Sequence, residues 1–165
     1  MVDLQRALIG TWKVLTYDMT VSSKKGTSTI QPAGKNPLGY VTFTQDGYMS
    51  VHMTSSEAIV PHKSDMWYQA TDEEVVRAAR AMLTYCGPFK VTEATEEGEY
   101  LLSTAVDVSL DPNWIGGDQV RKVAIEEQDG RPLLILRPVQ TFTFENGDTA
   151  EVIVSWERIL PKDNK

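Results

Sequence analysis

A chain of 165 residues, 41% hydrophobic and 24% charged, is long enough for one domain with its own core and too apolar for disorder to be the default. Its net charge of −7 argues against a nucleic-acid partner, because affinity for a phosphate backbone is built from Lys and Arg. One cysteine, Cys86, leaves no intrachain disulfide, and neither a signal-peptide pattern nor a membrane-length apolar run is visible, so the expectation is a single domain over 1–165, cytoplasmic and without a membrane partner.

In chain order, Leu4–Leu8 reads as a short helical turn. A first strand follows, in which Trp12, Val14 and Thr16 alternate with Lys13, Leu15 and Tyr17. Residues 21–36, rich in Ser, Thr, Lys and Gly, read as the longest loop. Strands over 38–44 and 48–54 flank Asp46-Gly47, a dipeptide whose positive φ angles suit a tight hairpin. After an irregular stretch, Thr71-Asp-Glu-Glu74 is a capping box opening the only convincing helix, over about 71–85. Val75, Ala78, Ala79, Met82 and Leu83 lie at helical spacing, and Gly87-Pro88 reads as the stop. Strands over 89–93, 99–110, 119–126, 132–137, 141–144 and 149–159 complete the chain. Turns at Glu96-Glu97-Gly98, Asp129-Gly130 and Asn146-Gly147 punctuate them.

Eight to ten short strands with tight turns make an antiparallel meander. A meander of that length hides its edges by closing into a barrel, which at eight strands is just wide enough for one small ligand. The expected fold is therefore all-β, a closed barrel with the one helix near its mouth.

The pieces Leu8-Ile-Gly-Thr-Trp12, Pro37-Leu-Gly-Tyr-Val-Thr-Phe-Thr44, Asp46-Gly-Tyr-Met-Ser50, Thr71-Asp-Glu-Glu74, Tyr85-Cys-Gly-Pro-Phe-Lys-Val91, Val106-Asp-Val-Ser-Leu-Asp-Pro-Asn-Trp-Ile-Gly116, Gln119-Val-Arg121 and Trp156-Glu-Arg158 run in order along nearly the whole chain. They resemble the lipocalin-like domain proteins of bacteria and filamentous fungi, a calycin-type barrel group. The resemblance implies that Trp12 packs beneath Arg158 at the barrel closure, by cation–π stacking and guanidinium bonds to chain-end carbonyls. Many members carry histidines just before the Val-acidic-Val-Ser segment; here those places hold Thr104 and Ala105, so no role of such histidines transfers.

Candidate site residues follow from strand parity. His52 shares a face with Tyr48 and Ser50, opposite Met49, Val51 and Met53. With the polar set inward, His52 is a general acid or base near neutral pH; with the Met set inward, it faces solvent. Asp107 falls in the row Leu101, Ser103, Ala105, Asp107, Ser109. Inward, burial would raise its pKa and make it a proton shuttle; outward, it is an ordinary surface carboxylate. Arg121 and Gln119 share a face with Val123 and Ile125, opposite the solvent-like Lys122 and Glu126. Arg121 is thus expected inward, to hold an enolate or carboxylate or to pair with Asp107. Trp67, Tyr68 and Trp114 lie in loops, as rim aromatics or as core anchors. Tyr40, Tyr48 and Tyr85 offer phenols to a substrate, and Ser50, Ser109 and Asn113 offer smaller polar contacts. His52 and His62 lack zinc-site spacing, and no phosphate loop or dinucleotide fingerprint occurs, so neither metal nor cofactor is expected.

Two functions fit. The first, led by the resemblance, is a cofactor-independent cyclase or isomerase (lyase chemistry being of the same kind) acting on a small, largely apolar polyketide-like or terpenoid intermediate. His52, Asp107 and Arg121 would be its catalytic groups, with substrate folding supplying proximity. The alternative is a non-catalytic carrier or sensor of an apolar small molecule. A homodimer is left open.

Overall fold

The computed structural model describes residues 3–94 and 98–160. Its elements are α1 (Leu4–Leu8), β1 (Gly10–Ser23), β2 (Gly26–Ile30), β3 (Pro37–Phe43), β4 (Tyr48–Ser55), α2 (Asp72–Ala81), β5 (Met82–Glu93), β6 (Tyr100–Ala105), β7 (Val108–Ser109), β8 (Asp118–Gln128), β9 (Arg131–Pro138), β10 (Phe142–Thr143) and β11 (Thr149–Arg158). Strands β1, β3, β4, β5, β6, β8, β9 and β11 neighbour one another in that order, all antiparallel. Strand β11 returns to β1, closing an eight-stranded barrel, as expected of a meander that must hide its edges. The three hairpin turns form where Asp46-Gly47, Asp129-Gly130 and Asn146-Gly147 place them, with Gly47, Gly130 and Gly147 at φ of 80°, 73° and 83°. The turn expected at Glu96-Glu97-Gly98 lies, except for Gly98, outside the described residues.

One end of the barrel is shut. Trp12 and Leu8 are fully buried there, and the Trp12 indole N–H donates to the Leu8 carbonyl over 2.8 Å. The Arg158 guanidinium lies 5.2 Å from the Trp12 ring centroid and donates to the carbonyls of Ala7 and Ile9, which ties the last strand to α1. The closure implied by the resemblance is therefore present.

The other end is open, and two long strands shape it. Strand β1 pairs with β3 only over Gly10 to Lys13 and with β2 over Met19 to Ser23, while its ladder with β11 runs on from Trp12 to Ser22. Beyond the barrel's waist, β2, β1, β11 and β10 thus form a flap that makes one wall of the mouth. The ladder slips by one residue between Val14 and Thr16, a β-bulge. Because side chains alternate with period two, that extra residue exchanges the faces of everything after it. Trp12 and Val14 point into the core, but beyond the bulge Tyr17, not Thr16, faces inward.

Three expectations are corrected here. Residues 21–36 are not one long loop, since β1 continues to Ser23 and turns into β2. The helix stops at Ala81, and residues 82–85 belong to β5, whose Tyr85, Gly87 and Phe89 are buried alternately. Barrel closure, with its two-residue period, overrides the helical spacing of Met82 and Leu83. Gly87-Pro88 is accordingly mid-strand. Finally, the single strand expected over 99–110 splits. Val106 exchanges hydrogen bonds with Gly116 and Gly117, then the chain crosses so that the Asp107 N–H donates to the Cys86 carbonyl.

The capping box of α2 forms as the sequence predicts. Glu74, buried despite its charge, accepts from the backbone N–H of Thr71 and of Lys63, each at 2.9 Å, and from the Thr71 hydroxyl at 3.0 Å. These bonds to the ionised form hold its pKa down at about 2, against an ordinary 4.5. Since the folded state binds the proton less readily than the unfolded one, the stabilisation is complete above about pH 4.5 and lost as pH falls toward 2. The Glu74 carboxyl carbon should titrate near pH 2 by NMR, and Glu74→Gln should speed amide exchange at Lys63 and Thr71 by about tenfold. A Glu74 midpoint near 4.5 would show the cap to be open in solution.

Candidate functional site

The barrel holds a cavity of about 100 Å³ that opens at its mouth. Strand β4 contributes Met49, Val51 and Met53, β5 Leu83 and Tyr85, and β11 Val152, Val154 and Trp156. Tyr17 of β1, Arg121 of β8, Leu136 and Pro138 of β9 and Phe142 of β10 complete most of the wall. The lining is largely apolar, with a few convergent polar groups, the usual make-up of a small-molecule site.

Those polar groups share one character. Arg121 is half-buried and donates to the Val120 carbonyl at 2.8 Å and the Gln119 side-chain oxygen at 2.9 Å, both neutral. Burial raises the phenol pKa of Tyr17 and of Tyr85, with the Arg121 charge pulling each partly back, so both remain protonated donors at neutral pH. The Trp156 indole, 3% exposed, has a buried N–H with no hydrogen-bond partner. An unmade bond of that kind typically costs about 1–3 kcal/mol. Among the described residues, no Asp, Glu or His lines this cavity. Its described polar groups are all donors at neutral pH, although a phenol oxygen also accepts.

The expected residues divide accordingly. Of the expected residues, Arg121 and Tyr85 line the cavity. His52 does not: Met49, Val51 and Met53 are the buried face of β4, and His52 is exposed on the outer wall, bracketed by Ser50 Oγ at 3.0 Å and Thr84 Oγ1 at 2.7 Å. Burial of the thioether and valine side chains outweighs that of the imidazole, which carries polar atoms needing partners. Ser50 and Tyr40 lie on that same outer wall, Tyr40 being 49% exposed.

Asp107 is likewise outside. Leu102, Thr104 and Val106 are the buried row, and Asp107 accepts instead from the Tyr48 hydroxyl. That bond to the carboxylate holds the exposed Tyr48 phenol up at about 12. The expected Asp107–Arg121 ion pair is therefore absent. The Ser109 hydroxyl accepts from the Asp111 N–H at 3.1 Å and donates to the Thr84 carbonyl at 3.4 Å, and Asn113 is exposed in the next turn. Trp114 is a core anchor: it stacks edge-on against Tyr85 at 5.5 Å, buttressing that phenol without reaching the cavity. Trp67 and Tyr68 stack on each other, 71% and 64% exposed, away from the cavity lining.

Sequence reasoning missed Tyr17 and the donor role of Trp156. Tyr17 lay on the wrong side of an unforeseen bulge. Trp156 was visible only as part of the closing Trp-Glu-Arg motif. No group of three or more His, Cys, Asp or Glu residues among the described ones is placed to hold a metal ion. No helix among the described residues is long and apolar enough to cross a membrane.

Comparison with known proteins agrees with the geometry. Over 67 residues the chain is 37% identical to the 4'-hydroxy-3'-methoxypropiophenone carrier protein ppsC of Aspergillus oryzae, a match covering 39% of this chain and 60% of that protein. The lipocalin-like domain family matches residues 9–159, which include all eight barrel strands and the whole cavity lining. The chain belongs to the lipocalin-like domain family.

Proposed function

We propose that this protein is a non-catalytic carrier, a single barrel domain that holds a small, mostly apolar, oxygenated aromatic compound in its lumen. The observation that carries the reading is the character of the cavity: apolar walls, two phenols whose pKa burial raises, and, among the described residues, no Asp, Glu or His in the lining. Such a site orients a ligand's oxygen atoms but has no proton to exchange at neutral pH. The acid–base pair that a cyclase or isomerase reading assigned to His52 and Asp107 sits on the outer wall. The related Aspergillus oryzae protein, named a carrier of an aryl ketone, supports the same reading.

The test is binding without turnover. The uncharged fluorophore N-phenyl-1-naphthylamine should brighten on entering the lumen, and 4'-hydroxy-3'-methoxypropiophenone should displace it and be recovered unchanged. Val152→Trp, which fills the cavity from β11, should weaken fluorophore binding by about tenfold or more, the equivalent of about 1.4 kcal/mol. Conversion of the ketone, with loss of its signal over time, would reverse the carrier reading in favour of an enzyme. Binding unaffected by Val152→Trp would place the ligand outside the barrel.

A further inference from the structure

Arg121 and Trp156 line the same cavity, the one carrying a charge and the other a buried indole N–H with no hydrogen-bond partner among the described residues. Among the described residues the ion pairs are Arg6–Asp3, Lys13–Glu157 and Lys122–Glu99, so Arg121 has no carboxylate partner. Its two hydrogen bonds, to a backbone carbonyl and to a side-chain amide, orient the guanidinium without neutralising it. Trp156, more than nine-tenths buried, keeps an indole N–H that bonds to no protein atom. A buried donor left unmade is expensive, and a charge in an apolar enclosure is more so, unless something else completes them.

The two groups occupy different levels. On β9, Arg121 pairs with Pro138 and Trp156 with Leu134, four residues apart, or roughly 13 Å along the strand. The reach of the arginine side chain alters that separation, but the anchoring points remain two stations of one lumen. The phenols of Tyr17 and Tyr85 line the same cavity as Arg121, whose charge pulls the pKa of each partly back down against burial.

Resting on the carrier reading, we propose that the lumen selects an elongated organic anion. One end of the ligand carries a carboxylate, phenolate or enolate oxygen that docks on Arg121, and an acceptor oxygen at the other end takes the indole N–H of Trp156. A guanidinium binds such an oxygen through charge-assisted bonds, and the low dielectric of the enclosure strengthens them. The apolar side chains between the stations exclude a highly polar linker, so the body joining the two oxygens is an aromatic ring or a short hydrocarbon.

Three small probes separate these elements. 3-(4-Methoxyphenyl)propanoate offers the anion and the distal ether; 4-(4-methoxyphenyl)-2-butanone replaces the carboxylate by an uncharged ketone; 3-phenylpropanoate lacks the ether. By calorimetry at neutral pH, the methoxy acid should bind about tenfold more tightly than the ketone. Arg121→Gln should erase most of that preference, and Arg121→Lys, which keeps the charge but not the fork, should restore part of it. In heteronuclear NMR, with the signal assigned through Trp156→Phe, the Trp156 indole N–H should move downfield with the methoxy acid and stay in place with 3-phenylpropanoate. Equal affinity for acid and ketone, an equal loss for both in Arg121→Gln with the fold intact, or an indole signal indifferent to the ether would overturn the assignment. So would failure of all three probes to bind, whereas the carrier reading stands or falls separately, on whether N-phenyl-1-naphthylamine enters the barrel.

Discussion

Trp12→Ala should destabilise the protein by about 4 kcal/mol, with the urea midpoint falling and the denaturant slope unchanged. Trp12 is fully buried, and large aromatic side chains removed from such sites leave cavities that the surroundings fill only partly. Two further losses add to the cavity. The Leu8 carbonyl loses the 2.8 Å bond from the indole, and Arg158 loses the ring face 5.2 Å from its guanidinium. Arg158 also donates to Ala7 and Ile9, so removing the indole loosens α1 and the last barrel strand together. Trp12→Phe should cost less, because it keeps most of the apolar volume, although it still gives up the indole bond. A thermal transition lowered by less than a few degrees in Trp12→Ala, against the roughly 10 °C or more expected, would mean that the closed end contributes little to holding the barrel.

Gly87→Ala should be comparably severe, at about 3 kcal/mol, although it adds a single methyl group. A Cβ at Gly87 would stand 1.7 Å from the Ala105 carbonyl oxygen and 2.8 Å from the Ala105 carbonyl carbon. Neither backbone yields easily. Gly87 is paired to Met49 of β4, and the next crossing is held by the Asp107 N–H donating to the Cys86 carbonyl at 2.9 Å. Strand β5 must therefore shift, and Tyr85, two residues away in the cavity wall, shifts with it. Ligand affinity should fall together with stability. Gly117→Ala is the control: its added methyl meets only the Trp114 carbonyl at 3.5 Å, an ordinary contact, so its effect should stay within about 1 kcal/mol. Similar stabilities for the two variants would show that β5 and the 105–107 crossing slide freely.

The intolerance at Gly87 and the error in the sequence reading there have one origin. Read locally, Gly87-Pro88 after a helical pattern is a stop signal. In the fold, Gly87 is where two strands approach too closely for any side chain, and only the three-dimensional crossing reveals that. The helix itself was legible because its capping box is a local device, completed within Thr71 to Glu74. The same holds for the three hairpins, whose Asp-Gly and Asn-Gly turns need positive φ and nothing distant.

The candidate site was legible only in part, for a reason tied to particular strands. On β8 the two faces differ plainly, Arg121 with Val123 against Lys122 with Glu126, and Arg121 was expected inward, where it lies. On β4 each face held a plausible lining, Tyr48, Ser50 and His52 or Met49, Val51 and Met53, and alternation alone does not choose between them. On β1 the bulge after Val14 moved Tyr17 to the inside, against the alternation that precedes it.

By itself, then, the amino-acid sequence determined what short-range chemistry controls: an all-β chain, its hairpin turns and the capping box that opens α2. Which side of each strand is the lumen was decided by closure, through the ladder joining β1 to β11 across nearly the whole chain. A barrel has an inside only once its first and last strands meet, so the pairing of Arg121 with Trp156, Tyr17 and Tyr85 in one cavity, and the exclusion of His52 and Asp107 from it, exist only in the folded molecule.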